Sequence, residues 1–423
     1  MQQSKTDPHQ QREFALGVVR RLRDAGYESL FAGGCVRDAL LNRQPDDYDV
    51  ATSATPEQVV QVFRRTIPVG ANFGVVVVPG RKAAEGQVEV ATFRADGDYL
   101  DGRRPTEVVF CSAQEDAQRR DFTINGMFFD PVEELVIDYV GGQDDLRAGI
   151  LRSIGNPVDR FTEDKLRMLR AVRFASTYEF HLDPDTREAI CNLHADLVQV
   201  SVERIAQELR RMLAHPNRHV AFRFLQDTGL LNVICQGQLT AAYDSAVAAL
   251  PYFRIPSFES AFAVLAGHLL NRDASVRKRG MPLRSVCRDL RLSNTETNDI
   301  CWLAESLLQI EAPERLNLHQ LKPILADSRR DLLIDLSQAL DVGAGTPPKA
   351  ARWIEGYLEV TPPELLDPAP LVFGGDIEAL GVSKGPVFAE LLNGVRQAQL
   401  DEEVNSRDEG LALLRQLARE TES

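Results

Sequence analysis

Two acidic residues with one residue between them, Asp47 and Asp49, follow a glycine pair and an arginine within a short stretch of the sequence. Residues two apart in a strand face the same side, so these carboxylates are expected to project together. A cation relieves their repulsion, and Mg²⁺ takes one or two carboxylates together with substrate phosphates. Gly33 and Gly34 allow backbone N–H groups to cradle those phosphates, within reach of Arg37. The spacing predicts a metal-dependent phosphate site; the alternative is a glycine turn beside a solvated acidic loop.

A third acid, Glu89, lies between Val88 and Val90. In a strand it therefore faces the side opposite to the two valines. It is a candidate for completing the metal cluster. The alternative is that it marks the solvent face of an edge strand.

A second charged group, Arg119-Arg120-Asp121, is followed closely by Asn125 in the same part of the chain. Guanidinium groups donate paired hydrogen bonds to phosphate, and a nearby carboxylate suits a ribose hydroxyl. Taken alone, such a group is more often a surface cluster of salt bridges. Its place in the same segment as the acidic residues favours nucleotide binding.

Four charged residues at intervals of three, Asp164, Arg167, Arg170 and Arg173, predict one helix that carries a carboxylate and three guanidinium groups in a slowly drifting row. The alternative is a ladder of ion pairs, each worth roughly 0.2–0.5 kcal/mol. Three arginines beside one acid make a poor ladder because the cations repel each other. An anion such as a triphosphate or an RNA backbone would relieve that repulsion.

The secondary structure that must position these residues changes after Gly155 from mixed helices and strands to helices. Before it, residues 11–27 have the periodicity of an amphipathic helix, and Thr55-Pro56 marks the start of another. Short β-type runs lie at 30–32, 48–51, 75–78, 88–93, 108–110 and 135–137. After Gly155 we predict no strand, and the clearest helices are 164–177, 186–197, 202–213 and 220–228. Gly229 is the expected C-cap of the last of these helices.

The 423 residues are 44% hydrophobic, and at roughly 100–200 residues per domain this suggests two to four domains. A formal charge of −14 excludes a uniformly basic nucleic-acid binder but leaves room for a local basic track. The six cysteines form no C-x-x-C pair, which argues against a zinc ribbon, an Fe–S cluster or a disulfide framework. We therefore expect a reducing, cytoplasmic setting. Neither a signal peptide nor a membrane span is predicted.

In this order and spacing, the four motifs resemble those of the class II tRNA nucleotidyltransferases, the family of bacterial-type CCA-adding enzymes and poly(A) polymerases. The resemblance is dense from about residue 30 to residue 213 and looser downstream. It implies an α+β fold, in which an N-terminal, polymerase-β-like nucleotidyltransferase head with a small sheet is followed by an all-α neck, body and tail. The implied bounds of these four parts are 1–155, 156–215, 216–345 and 346–423.

The resemblance also implies an activity, the template-independent addition of C and A from CTP and ATP to the 3′ end of tRNA. Asp47 and Asp49 would hold catalytic Mg²⁺ ions, with Glu89 assisting. Such ions activate the RNA 3′-hydroxyl and stabilise the pyrophosphate leaving group. No membrane or DNA partner is implied, and the oligomeric state stays open. The implied nucleotide-binding residues are Gly33, Gly34, Arg37, Arg120, Asp121, Asn125, Asp164, Arg167, Arg170 and Arg173.

Within this set, Asp164 and Arg167 would read the base, and the chemistry of the bases supports that role. Cytosine and adenine each present an amine donor beside a ring-nitrogen acceptor, which a carboxylate and a guanidinium match. Guanine and uracil present the reversed pattern and would leave buried polar groups unpaired, at about 1–3 kcal/mol each. One acid and one arginine therefore accept C and A and refuse G and U without a template.

Several alternatives stay open. An enzyme that adds only CC or only the terminal A, or a bacterial poly(A) polymerase, belongs to the same class. Residues 69–74 look like the CCA-type sequence, and residues 96–105, with Asp101, Arg103 and Arg104, resemble the flexible loop that CC-only enzymes lack. No His-Asp pair of the kind found in phosphohydrolase motifs is present in the sequence. Outside the class, a non-catalytic RNA-binding protein on the same scaffold would need no Asp-x-Asp pair.

Overall fold

The computed structural model describes residues 6–67, 74–96, 108–234, 247–271, 283–383 and 385–421. Contacts divide the chain into two compact units, Met1–Glu208 with Val220–Gly237 and Leu209–His219 with Gln238–Ser423. In the described residues, the first unit combines helices with a sheet and the second is helical. The α+β fold predicted from the sequence is thus confirmed. The division into head, neck, body and tail stays a prediction.

Short strands form the framework of the first unit. They are β1 (Ser29–Ala32), β2 (Asp49–Thr52), β3 (Val75–Pro79), β4 (Gln87–Thr92), β5 (Arg94–Asp96), β6 (Val108–Phe110), β7 (Phe128–Asp130), β8 (Leu135–Ile137), β9 (Ile150–Leu151) and β10 (His181–Leu182). Six of them make one mixed sheet in the order β3-β4-β2-β1-β7-β8. Only β2 and β4 run parallel in that sheet, and its other pairs are antiparallel. Separately, β5 pairs with β6, and β9 with β10.

Eleven α-helices are described up to residue 234. They are α1 (Pro8–Asp24), α2 (Gly34–Leu40), α3 (Pro56–Val62), α4 (Ala113–Gln118), α5 (Gly142–Ala148), α6 (Pro157–Glu163), α7 (Leu166–Tyr178), α8 (Pro184–Leu193), α9 (Val202–Leu213), α10 (Arg218–Asp227) and α11 (Leu230–Ile234). Helix α3 begins as predicted, with Thr55 and Gln58 forming a reciprocal capping box. Three-residue 3₁₀ turns occur at Ala83–Glu85 and Thr123–Asn125, and a longer one at His194–Gln199.

Strands β1 and β2, at the centre of the sheet, are largely buried. On one face, side chains of the central strands and of α4 form an apolar cluster of Leu30, Ala32, Ala51, Phe93, Ala113, Ala117 and Phe128. Helix α1 contacts β1, β2 and β4, and its apolar stripe (Ala15, Leu16, Val18, Val19 and Leu22) is fully buried. The apolar periodicity of α1 is what places it on the sheet.

The described helices of the second unit beyond residue 247 are Phe258–Asn271, Leu283–Asp289, Asn294–Gln309, Leu318–Ala326, Arg330–Gly343, Lys349–Val360, Pro363–Leu366, Gly374–Glu378, Pro386–Leu400 and Arg407–Thr421. The last of these pack around a core of Val372, Ile377, Leu391, Val395 and Leu414. In the ranges that the structure describes, no helix has the length and apolar character needed to cross a bilayer.

Two sequence predictions differ from the structure in this part of the chain. We predicted no strand after Gly155, yet β10 pairs in parallel with β9. Each of these strands has two residues, which is too short to show alternation of polar and apolar side chains. The helix predicted at 186–197 ends at Leu193 and continues as the 3₁₀ turn His194–Gln199. The helix predicted at 202–213 has those bounds.

Candidate active site

An acidic cluster lies where β2 begins. Asp49 is the first residue of β2 and is paired in register with Glu89 of the parallel neighbour β4. Paired residues of adjacent strands project from the same face, and the strands are about 4.8 Å apart. Val88 and Val90 are buried whereas Glu89 is exposed, so the acid faces away from both valines. Asp47 precedes the strand and is exposed beside Asp49.

The electrostatics of this cluster are unfavourable without a cation. Burial, and then the charges of Asp47 and Glu89, raise the pKa of Asp49 to about 7, while Arg120 acts in the opposite direction. Carboxylates that disfavour each other's ionisation are the environment that a divalent cation stabilises. The cluster is therefore electrostatically suited to a metal ion.

The donor set also fits a metal that is shared with a substrate. Within the described ranges, no group of three or more His, Cys, Asp or Glu side chains is arranged to hold a metal ion by itself. Mg²⁺ does not require such a group, since it keeps waters and binds one or two carboxylates plus substrate phosphates. Asp47 and Asp49 supply that number of carboxylates, with Glu89 in register beside them.

The glycine turn between β1 and α2 faces two guanidinium groups. Gly33 has a φ of +70°, and a side chain there would meet Arg120 Nη1 at 3.3 Å. A side chain at Gly34 would meet Arg37 Nη2 at 3.5 Å. The missing side chains thus leave the backbone of the turn directly against Arg37 and Arg120. Gly33, Gly34, Arg37 and Arg120, predicted from separate motifs, lie together.

Arg120 is held by an acid that the sequence analysis did not single out. Asp116 of α4 is buried and accepts from Arg120 Nε and Nη2 at 3.2 and 2.9 Å. It also accepts from Arg119 and from the backbone N–H of Arg94. Burial would raise the pKa of Asp116, but the two arginines lower it overall. The only sequence signal was its i,i+4 spacing from Arg120 on a helix that begins with a capping box.

A hydrogen-bonded chain connects Arg37 to Arg170. Arg37 Nη1 donates to Asn125 Oδ1 at 2.6 Å, and Asn125 Nδ2 donates to Asp121 Oδ1 at 3.1 Å. Asp121 Oδ2 accepts from Arg170 Nε and Nη2 at 2.8 and 2.5 Å. Burial would raise the pKa of Asp121, but the Arg170 guanidinium and the Asn125 hydrogen bond lower it to about 2. Four of the predicted site residues therefore form one hydrogen-bonded, largely buried network.

The predicted base-reading acid is not part of the helix that carries the arginines. We predicted a single helix over 164–177, but Asp164 has extended backbone angles between α6 and α7. Its Oδ1 accepts from the N–H of Leu166, the first residue of α7, at 3.1 Å in a local turn. Arg204 of α9 donates to both carboxylate oxygens of Asp164, at 3.1 and 2.7 Å. Arg204 was not identified from the sequence, because it lies 40 residues away.

The three arginines of α7 each pair with a different acid. Arg167 Nη1 donates to Glu163 Oε2 at 2.6 Å, and Arg167 Nη2 donates to the carbonyl of Arg119 at 3.4 Å. Arg170 pairs with Asp121, as above, and Arg173 Nε donates to Glu208 Oε2 at 2.5 Å. The repulsion expected among the arginines is thus relieved in part by acids of the protein itself.

The structure brings the predicted residues into two groups. One group combines the acids of the cluster with the glycine turn and Arg120. The other is the network on α7 and the loop before it, which reaches the turn through Arg37. The flexible-loop residues Asp101, Arg103 and Arg104, and most of the 69–74 segment, lie outside the described residues.

Two family models match the chain. Residues 29–152 match the poly A polymerase head domain, and residues 179–240 match a segment described as a probable RNA and SrmB-binding site of polymerase A. The first of these ranges contains the sheet, the glycine turn and the acidic cluster.

Relatives of this chain include CCA-adding enzymes. The enzyme of Geobacillus stearothermophilus is 36% identical over 403 residues, which is 93% of this chain and 94% of the relative. That of Bacillus subtilis (strain 168) is 40% identical over 257 residues, 59% of this chain and 62% of the relative. The crystal structure of the Bacillus stearothermophilus CCA-adding enzyme in complex with CTP has a TM-score of 0.78 at 31% identity, over 99% of both chains. As the resemblance predicted, the chain belongs to the CCA-adding enzymes, a family of nucleotidyltransferases.

Proposed function

We propose that this chain adds C and A, from CTP and ATP, to the 3′ end of tRNA without a nucleic-acid template, in the cytoplasm. The observation that carries the proposal is the acidic cluster of Asp47, Asp49 and Glu89 at the glycine turn, in a member of the CCA-adding family. A non-catalytic RNA-binding protein has no use for acids clustered so that burial and the charges of Asp47 and Glu89 raise the pKa of Asp49.

The metal chemistry is assigned to the acidic cluster. The family generally uses a divalent metal ion, and Asp47 and Asp49 are the proposed ligands for Mg²⁺, with Glu89 assisting. When bound, Mg²⁺ favours ionisation of the RNA 3′-hydroxyl and neutralises the leaving pyrophosphate. Arg120, held by Asp116 against the backbone of Gly33, is placed to donate to the phosphates.

Base recognition is assigned to Asp164 and Arg167, and each retains hydrogen-bonding capacity for it. A carboxylate has about four acceptor sites, and the described contacts of Asp164 use three of them, two from Arg204 and one from the Leu166 N–H. One acceptor site is therefore left for an exocyclic amine. Arg167 has five N–H groups, of which Glu163 and the carbonyls of Arg160 and Arg119 engage three. The others suffice for a ring nitrogen.

Asp121 has no acceptor site to spare for a ribose hydroxyl. Its two oxygens accept from Arg170 twice, from Asn125 and from the N–H of Phe122, which uses about four acceptor sites. A ribose hydroxyl would have to replace one of these donors. We therefore assign Asp121 to holding Arg170 and Asn125 in place.

The test uses four tRNA substrates: one ending before the CCA, one after the first C, one after CC and one complete. Each is incubated with the purified protein, Mg²⁺ and each of the four triphosphates, singly and as CTP plus ATP. We expect two C additions followed by one A, no use of GTP or UTP, and no extension of the complete tRNA. Addition of A alone or of CC alone would contradict the proposal and identify an enzyme that adds only A or only CC. A long A tract would replace it by a poly(A) polymerase.

A further inference from the structure

The last residue of α7 hydrogen-bonds to the residue next to Arg37. The Tyr178 hydroxyl donates to Asp38 Oδ1 at 2.8 Å, although the two residues are 140 positions apart in the chain. Burial raises the pKa of Tyr178 to about 12, so the phenol remains a donor at neutral pH. Neither side chain has a role in the function proposed above.

Both side chains form the immediate surroundings of the Arg37 guanidinium. Asp38 accepts from Arg37 Nε at 2.9 Å and from Nη2 at 3.0 Å, in the planar, paired geometry that suits a guanidinium. The guanidinium lies 4.5 Å from the ring centroid of Tyr178 and 5.2 Å from that of Phe174. The Arg37 side chain is only 7% exposed. It is therefore restrained by a carboxylate at its edge and by aromatic rings.

This arrangement leaves part of Arg37 available to a ligand. Asp38 and Asn125 engage three of the five N–H groups of the guanidinium. Nη2 lies against the position that a side chain would take at Gly34, on the phosphate-cradling turn. Because Asp38 fixes the Nε–Nη2 edge, the direction of the remaining N–H groups is fixed as well. The Tyr178 hydroxyl fixes that carboxylate in turn.

We propose that Tyr178 and Asp38 are a positioning pair, which holds Arg37 in the orientation that binds the triphosphate of CTP and ATP alike. This inference rests on the proposed function, in which Arg37 binds the nucleotide. A triphosphate is common to both substrates, so the pair affects both of them equally.

The pair is separated from base recognition by the length of α7. Tyr178 lies eleven residues after Arg167, which is about 16 Å along a helix at 1.5 Å per residue. Arg170 and Phe174 lie between them on α7, about one and two turns after Arg167. A change at the hydroxyl of Tyr178 should therefore leave the contacts of Arg167 with Glu163 in place. The pair is expected to set affinity for the triphosphate and not the choice of base.

The test is Tyr178→Phe, which keeps the ring and removes the hydroxyl. We expect the KM for CTP and for ATP to rise by the same factor, about 5- to 10-fold, as for the loss of a typical intramolecular hydrogen bond. The discrimination against UTP and GTP should not change. In calorimetric titrations with Mg²⁺, CTP should bind about 5- to 10-fold more weakly while CMP binds as before. The matched control is Tyr139→Phe, at an exposed tyrosine outside the site.

A second variant, Asp38→Asn, keeps the shape of the side chain and removes its charge. We expect a larger loss of CTP affinity than in Tyr178→Phe, and little additional loss in the double variant, because both act through Arg37. Equal weakening of CTP and CMP, or a lowered thermal midpoint with unchanged CTP affinity, would show that the pair is merely structural and overturn the inference. If the wild-type protein adds nothing to tRNA, the proposed function fails. The role of Tyr178 and Asp38 is then still tested by comparing the affinities of the wild-type protein and the variants for CTP and CMP.

Discussion

At the scale of single residues, several charged side chains of the first unit are held by partners far away in the sequence. Glu208 lies 35 positions from Arg173, and Arg204 lies 40 positions from Asp164. Long, flexible side chains lose conformational entropy when they bind a ligand, and such partners fix them beforehand. The site is therefore built in advance, except at the acidic cluster, where repulsion remains until a cation binds.

The first prediction concerns that cluster. Asp47→Ala combined with Asp49→Ala should lower the rate of nucleotide incorporation by about 1,000-fold or more, because loss of metal stabilisation of the transition state costs several kcal/mol. Binding of tRNA, measured by filter retention, should survive within about 2-fold, because these acids do not hold the RNA. Glu13→Ala, at an exposed acid of α1, is the control and should be fully active. Near-normal incorporation by the double variant would contradict the metal assignment.

The second prediction concerns base choice. Asp164→Ala removes the acceptor for the exocyclic amine, so the preference for CTP over UTP should fall by about 10- to 100-fold, the range given by one or two mismatched polar groups. The affinity for tRNA should change much less. Single-turnover incorporation of each of the four triphosphates measures this directly, with Asp159→Ala, an exposed acid in α6, as the control. Unchanged discrimination would remove Asp164 from base reading.

At the scale of elements, the turn between β1 and α2 supplies the third prediction. Gly33 and Gly26 both have positive φ, so alanine should cost at least about 1–2 kcal/mol of stability at either position. A side chain at Gly26 meets nothing within 4 Å, whereas one at Gly33 meets Arg120. Only Gly33→Ala should therefore raise the KM for CTP, although both variants lose stability in thermal unfolding. Equal KM values would show that the turn does not position Arg120 for the nucleotide.

Several elements could be predicted from local sequence. The runs at 30–32, 75–78 and 135–137 correspond to β1, β3 and β8 within one residue, because β-branched and apolar residues are bounded by turn residues there. Strand β7 (Phe128–Asp130) was not predicted. The break before α7 was missed because Asp164 competes with the helix through its own side chain.

The sequence predicted the site residues that belong to motifs but not the partners that hold them. Local spacing identified the acids, the glycine turn and the arginines, since each motif lies within a few residues of the chain. It did not identify Asp116 as the partner of Arg120, and it did not indicate that Tyr178 reaches Asp38. The contact between Tyr178 and Asp38 joins residues 140 positions apart, which no local pattern encodes.

At the scale of the whole molecule, the excess of 62 Asp and Glu over 48 Lys and Arg makes pairing of carboxylates a condition of stability. In the second unit, Glu296 is an example: Arg210 donates to its two oxygens at 2.5 and 3.0 Å. The Arg210 hydrogen bonds lower the pKa of Glu296 to about 2, against an ordinary value of 4.5. A carboxylate with a lowered pKa stabilises the folded state above its unfolded pKa and loses that contribution as the pH falls.

The fourth prediction follows from the sign of that shift. Glu296→Gln keeps an acceptor for the helix cap at Ser293 and removes the charge paired with Arg210. At pH 7 the free energy of unfolding should fall by about 1 kcal/mol, since solvent screens part of the pair. The difference from the wild-type protein should close as the pH falls from 4.5 towards 2, because the wild-type carboxylate is then protonated as well.

Tryptophan fluorescence in urea is a suitable measurement for this prediction, because both tryptophans of the chain, Trp302 and Trp353, belong to the second unit. Glu305→Gln is the matched control, an exposed acid on the same helix, and it should match the wild-type protein at both pH 7 and pH 3. A difference between Glu296→Gln and the wild-type protein that stays constant with pH would mean that Glu296 stabilises the unit by packing. A difference that closes on acidification assigns the effect to the charge pair.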